Sequence, residues 1–264
     1  MPANLIFFSF QCVFFSYSVL CLFTFLVSYF NKQDNGAVLL VTLLFNFLII
    51  YLIDFYKKNT ELNRINFIYL TITSWILIIL IGTVPLFELL SDTSFNEKIF
   101  FSTSLATTTG LSLPGYELND NIILSIWISI VQNIGALFTL VVFISYCSLF
   151  LNKNLLIISK KSILRFILFY FTFLFSFIFI LFLYDYKIIE SISLGTSILS
   201  STGLKSYNSI FLRNNDNYFL IMFLMLISLI LLPTYLLIYS KNIYKNIINM
   251  LTNNKVSLIT FSII

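Results

Sequence analysis

Ala106-Thr107-Thr108-Thr109-Gly110-Leu111 and Leu199-Ser200-Ser201-Thr202-Gly203-Leu204 decide how this chain is read. Each string follows a short, weakly polar helical pattern and lies between two long apolar segments. Irregular backbone is tolerated at membrane depth only where protein covers it or where it lines a water-filled cavity. A hydroxyl-rich loop ending in glycine, placed twice at equivalent points, therefore points to a pore. One such loop alone reads more readily as a helix C-cap or a Ser/Thr turn. Two in register, inside a repeated helix, loop, helix unit, reverse that reading.

Working outward, hydrophobic residues make up 59% and charged residues 10% of the 264 positions, a balance that excludes an ordinary soluble domain. Runs without an internal charge cover 5–30, 36–53, 66–87, 121–152, 166–184 and 218–240. Most reach the ~20 apolar residues that a bilayer core requires, so six spanning helices are expected. The longest polar stretches, near Lys57 to Arg64 and Glu88 to Lys98, read as loops, which leaves no soluble domain of any size. The first apolar run has no basic residue before it and no clear small-residue cleavage site, and reads as a retained helix. Cys12, Cys21 and Cys147 are odd in number, lie in apolar segments and have no ligand spacing, so neither a disulfide framework nor a zinc site is indicated.

Lysine and arginine set the expected orientation. Lys57, Lys58 and Arg64 mark one connection, Lys153, Lys160, Lys161 and Arg165 a second, and Lys241, Lys245 and Lys255 the tail. The segment from Glu88 to Asp120 instead holds five acids and only Lys98. The positive-inside rule then makes the basic connections and both termini cytoplasmic and turns both loops, with residues near Glu117 and Asn208, to the outside. The net charge of +4 is accounted for by this bias and calls for no nucleic-acid partner.

The expected fold is an all-α integral membrane protein: a leading transmembrane hairpin (1–60), a first helix, re-entrant pore loop, helix repeat (61–155), a second such repeat (156–245) and a cytoplasmic tail (246–264). In this arrangement each short helix aims its partly negative C-terminal end at the ion path. Successive carbonyls of the following strand replace a cation's hydration shell, and glycine admits the positive φ that turns a carbonyl toward the axis. The candidate ion-binding residues are thus Thr107, Thr108, Thr109, Gly110, Leu111, Ser200, Ser201, Thr202, Gly203 and Leu204. An intramembrane enzyme is the weaker reading: there is no histidine, the carboxylates lie mainly at helix ends and loops, and no Cys or Ser sits beside a plausible base.

The order of small motifs resembles that of the Trk/Ktr/HKT superfamily of potassium transporters, and within it TrkH-type subunits. The resemblance is carried by Trp75, Gly82 and Pro85, by Phe100 running into Thr107-Thr108-Thr109-Gly110, and by Trp127, Gln132, Ile134 and Gly135. In the second half it is carried by Ile189-Glu190-Ser191, Ser201-Thr202-Gly203, the stretch from Ser206 to Ile210, and the helix containing Met222 and Met225. It implies K+ uptake across the plasma membrane (the inner membrane in bacteria) through carbonyl-lined filters, with no other metal or cofactor on the chain. It also implies gating by a cytosolic nucleotide-binding ring of the TrkA/KtrA type.

The chain departs from the family pattern at Phe101 (usually Glu), at Ile128 (usually Arg), at the thinned glycine patch Gly135-Ala136 with Phe138, and at Leu204-Lys205, where the second filter usually continues Phe-Ser/Thr. Two repeats stand here where the family has four, so the missing walls are expected from a second copy or from a companion chain. The alternative is a non-conducting remnant, or the half of a split transporter serving only as a membrane scaffold.

Overall fold

The computed structural model describes residues 3–31, 36–59, 64–113, 121–150, 160–203 and 216–239. The protein is all-α, with no strand among the described residues. In chain order the helices are α1 (Ala3–Phe30), α2 (Gly36–Asn59), α3 (Arg64–Thr83), α4 (Leu86–Leu89), α5 (Phe95–Ala106), α6 (Ile122–Phe150), α7 (Lys160–Leu183), α8 (Ile188–Ser200) and α9 (Asp216–Tyr239). Five of them, α1, α2, α3 continued through α4, α6 and α7, are long and apolar enough to cross a membrane. The sixth expected span corresponds to α9, 24 residues long, whose side chains are described only from 219 to 230. The expected single helix over 66–87 is broken. Pro85, with no N–H to donate, stands between α3 and the one-turn α4.

The helices pack around α6. Its apolar window is 78% buried, against 28% for that of α2 and 33% for those of α3 and α7. Trp127 of α6 stacks on Tyr17 of α1 at 6.0 Å and donates its indole N–H to the Gly82 carbonyl of α3 at 2.9 Å. Lower on α6, Phe138 meets Trp75 of α3 and Phe10 of α1 edge-on, each at 5.1 Å. Asn133 Oδ1 accepts from the Tyr170 hydroxyl of α7 at 2.9 Å. Two indole or phenol groups thus find partners inside an apolar bundle, where an orphaned donor would cost free energy.

Large apolar side chains face outward along the whole bundle, among them Phe15, Leu44, Ile68, Ile72, Leu168, Phe175 and Phe179. On α7 the division follows the helical repeat: Ile163, Phe166, Ile167, Tyr170, Leu174, Phe177 and Leu181 are buried, and Phe175, Phe179 and Phe182 are exposed. An apolar exterior of this extent marks a surface for lipid. The chain is a membrane protein by this measure.

Two ends of the bundle are defined by cross-helix contacts. Lys160 at the start of α7 lies over the Phe8 ring near the start of α1 at 5.3 Å. Gln11 of α1 donates to Asp54 near the end of α2 at 3.4 Å, and Phe67 near the start of α3 packs on Phe10. The basic helix starts and the N-terminal turn of α1 therefore share one end. The opposite end holds the α3 terminus, the α5 start and the first turns of α6.

Candidate functional site

Helix α5 begins at a capping box. The Ser94 hydroxyl accepts from the Glu97 amide at 3.4 Å, and the Ser94 amide donates to the Glu97 carboxylate at 2.7 Å. These hydrogen bonds hold the Glu97 carboxyl below the usual carboxylate range. Lys98 folds back to donate to the Thr93 carbonyl at 2.9 Å and lies over the Phe87 ring at 5.1 Å. From there α5 runs down beside α6 in the same direction. Ser102 donates to the Ile79 carbonyl at 2.7 Å and lies against Gly82, which also touches Val131. One turn further, a Cβ on Gly135 would overlap the Ala106 carbonyl. The end of α5 is therefore seated near the middle of the 29-residue α6.

At this depth the backbone reverses. Thr107 closes α5, Thr108 takes φ +56°, and Gly110 takes φ +74°. The Thr107, Thr108 and Thr109 amides donate back to the carbonyls of Thr103 (2.9 Å), Leu105 (3.1 Å) and Ser104 (3.0 Å). The Ser104 hydroxyl bridges both polar groups of Leu111, accepting from its amide at 2.7 Å and donating to its carbonyl at 2.9 Å. Leu111 is thereby held level with the last full turn of α5. Thr107 and Thr109 hydroxyls meet at 2.7 Å on the exposed side of the turn.

The second loop repeats this geometry 93 positions later. Ser201 takes φ +56° and Gly203 φ +67°. The Ser201 and Thr202 amides donate to Ile198 (3.2 Å) and Ser197 (3.1 Å). The hydroxyls of Ser200 and Thr202 pair at 3.2 Å, as those of Thr107 and Thr109 do. Thr103-Ser104-Leu105 and Thr196-Ser197-Ile198 supply the same acceptors in both helices. Helix α8 descends antiparallel to α7, with Gly195 against Ile178. It is buried almost throughout although Ser191, Ser193, Thr196, Ser197 and Ser200 lie on it. A hydroxyl-bearing helix of 13 residues, ~20 Å at 1.5 Å per residue, is too short to span ~30 Å of hydrocarbon and is enclosed by protein instead.

The two loops meet. Gly110 lies so close to the Thr202 carbonyl that any side chain at 110 would overlap it. No hydrogen bond among the described residues ends on the carbonyls of Thr107, Thr108, Thr109, Gly110, Ser201, Thr202 or Gly203. Their amides, apart from that of Gly203, are turned inward and satisfied, which leaves oxygen as the group the loops present. Next to them is a cavity of about 280 Å³ whose lining includes Thr108, Thr139, Tyr170, Ser200, Ser201 and Ser228. No cluster of His, Cys, Asp or Glu suited to a metal ion occurs among the described residues.

Nine of the ten sequence-predicted residues are brought into this one region; Leu204, like Lys205, lies outside the described residues. Sequence reasoning missed Ser104 and Ser197 as braces under each loop and Gly135 as the seat for α5. The signal for the first two was present in the shared Thr-Ser that precedes each loop by three residues. Gln132 of α6 is fully buried, and neither its amide nitrogen nor its oxygen has a hydrogen-bond partner among the described residues. No protein-family model, curated protein or solved structure matches the chain.

Proposed function

We propose that the chain is a K+ uptake subunit of TrkH type, in which Thr107 to Leu111 and Ser200 to Leu204 are two walls of a selectivity filter. The observation that carries this reading is the pairing of two congruent loops at the ends of α5 and α8, with the amides turned inward apart from that of Gly203, the carbonyls of Thr107 to Gly110 and Ser201 to Gly203 free among the described residues, and a positive-φ glycine at the same place in each. Free carbonyls in succession, at the partly negative ends of α5 and α8, suit a dehydrated monovalent cation. In this reading α5 and α8 enter from the outer face, the chain returns to that face after each glycine, and the hydroxyl-rich cavity is the hydrated vestibule on the inner side of the filter. The basic connections then face the cytoplasm, where a nucleotide-binding ring of the TrkA/KtrA type is the expected partner.

K+ uptake in a transport-deficient host tests it. Expression of the chain, with any companion it requires, restores growth at low K+, and Gly110→Ser removes the rescue or admits Na+. A membrane-inserted, folded chain that neither rescues growth nor binds K+ in isotope uptake would leave the non-conducting scaffold as the function.

A further inference from the structure

The two congruent loops are not equally covered. Gly110 of the first abuts the Thr202 carbonyl of the second, but Gly203, the equivalent glycine, has no described atom within 4 Å of the place its Cβ would occupy. The Thr109 side matches this vacancy. Thr202 is buried to 7% exposure and Ser200 to 5%, while their counterparts Thr109 and Thr107 are exposed. Among the described residues the chain thus uses one joint, glycine of one loop against threonine carbonyl of the next, and leaves both halves of an identical joint, Gly203 and Thr109, exposed.

We propose that a second copy of this chain fills both halves, with Gly203 of each copy seated against the Thr109 carbonyl of the other. The inference rests on the filter reading above and names the partner of that site. A joint between two different patches is heterologous, and such joints form closed rings when the rotation closes. Because each chain already contains one joint, two copies related by a two-fold axis close a ring of four loops, alternating first and second. The geometry favours a second copy because the open glycine and the open carbonyl are complementary to each other and lie on the same chain. Leaving them uncovered would expose unsatisfied carbonyls to hydrocarbon, at several kcal/mol for each group.

The copy number of the unaltered chain in a lipid nanodisc, measured by mass, tests this and is expected at two copies of 30.6 kDa each. Gly203→Ala meets no described atom of its own chain but would overlap the Thr109 carbonyl of the other copy, so it is expected to lower the mass to one copy. Two differently tagged unaltered chains, co-expressed, are expected to co-purify, and two tagged Gly203→Ala chains are not. A single-copy mass for the unaltered chain, a complex only with a different chain, or a two-copy mass that Gly203→Ala leaves unchanged overturns the proposal. A two-copy mass that Gly203→Ala abolishes, with no K+ flux from the unaltered chain, leaves the assembly standing and removes the transport reading.

Discussion

At the level of single residues, the two glycines share a backbone conformation and differ in surroundings. Within one chain Gly203→Ala meets no described atom and carries only the cost of a side chain at φ +67°, about 1–2 kcal/mol, whereas in the two-copy ring it would also meet the Thr109 carbonyl of the other copy. Gly110→Ala carries that cost and also collides with the Thr202 backbone. Thermal unfolding of the chain dissociated to single copies in detergent is expected to show the larger loss for Gly110→Ala; equal losses there would mean that the two loops of one chain do not touch. Thr108 and Ser201 are non-glycine residues at φ +56°, a conformation that costs of order 1–3 kcal/mol and is kept only where surroundings impose it. Thr108→Gly should therefore raise the unfolding midpoint, and a drop in stability would argue that the hydroxyl outweighs the backbone. Gln132 makes a different case. Its unpartnered amide lies fully buried, so Gln132→Met is expected to be neutral or stabilising in the same assay.

Among the elements, α5 is the one whose placement is most over-determined: a capping box at its start, Ser102 on the Ile79 carbonyl at its middle, and Gly135 against its last carbonyl. Ser94→Ala removes the cap and should cost about 1 kcal/mol, as loss of an N-cap typically does. The main cause of the lowered Glu97 carboxyl is the Ser94 backbone amide, which Ser94→Ala retains, so this change removes only the smaller side-chain contribution. A group whose pKa is lowered in the folded state stabilises fully above its unfolded value, and that contribution is lost as pH falls through the lowered value. Carboxylate NMR of Glu97 across acidic pH checks this; a midpoint in the ordinary carboxylate range for the unaltered chain would mean that the box does not form in solution. Helix α8 needs no side-chain N-cap. Burial on all sides by α6, α7 and α9 holds it instead.

For the whole molecule, the shared end of Phe8, Asp54, Phe67 and Lys160 links three connections whose basic residues predict a cytoplasmic face. Single cysteines at Lys160 and at Glu97 should react with an impermeant maleimide from opposite sides of sealed vesicles. Labelling from the same side would overturn both the orientation and the outward-facing loops. Alkaline carbonate should leave the chain in the membrane pellet, given five apolar helices of spanning length and an exterior of Phe, Leu and Ile.

The sequence by itself determined the class of the molecule, because uncharged runs of more than twenty residues can satisfy their backbone in lipid only as helices. It also marked the two loops, since a hydroxyl run ending in glycine contrasts sharply with apolar surroundings, and with them the places where α5 and α8 end. Local pattern carries no information about depth or about which loop touches which. Only the tertiary structure decided that α5 stops at Gly135, that Gly110 lies on the Thr202 carbonyl, that Ser104 and Ser197 brace the turns, and that Gly203 stands open. The Gly135 and Gly110 contacts join residues about 30 and 90 positions apart, and they depend on how closely small residues let helices approach, which is a property of the packed bundle and not of any single segment.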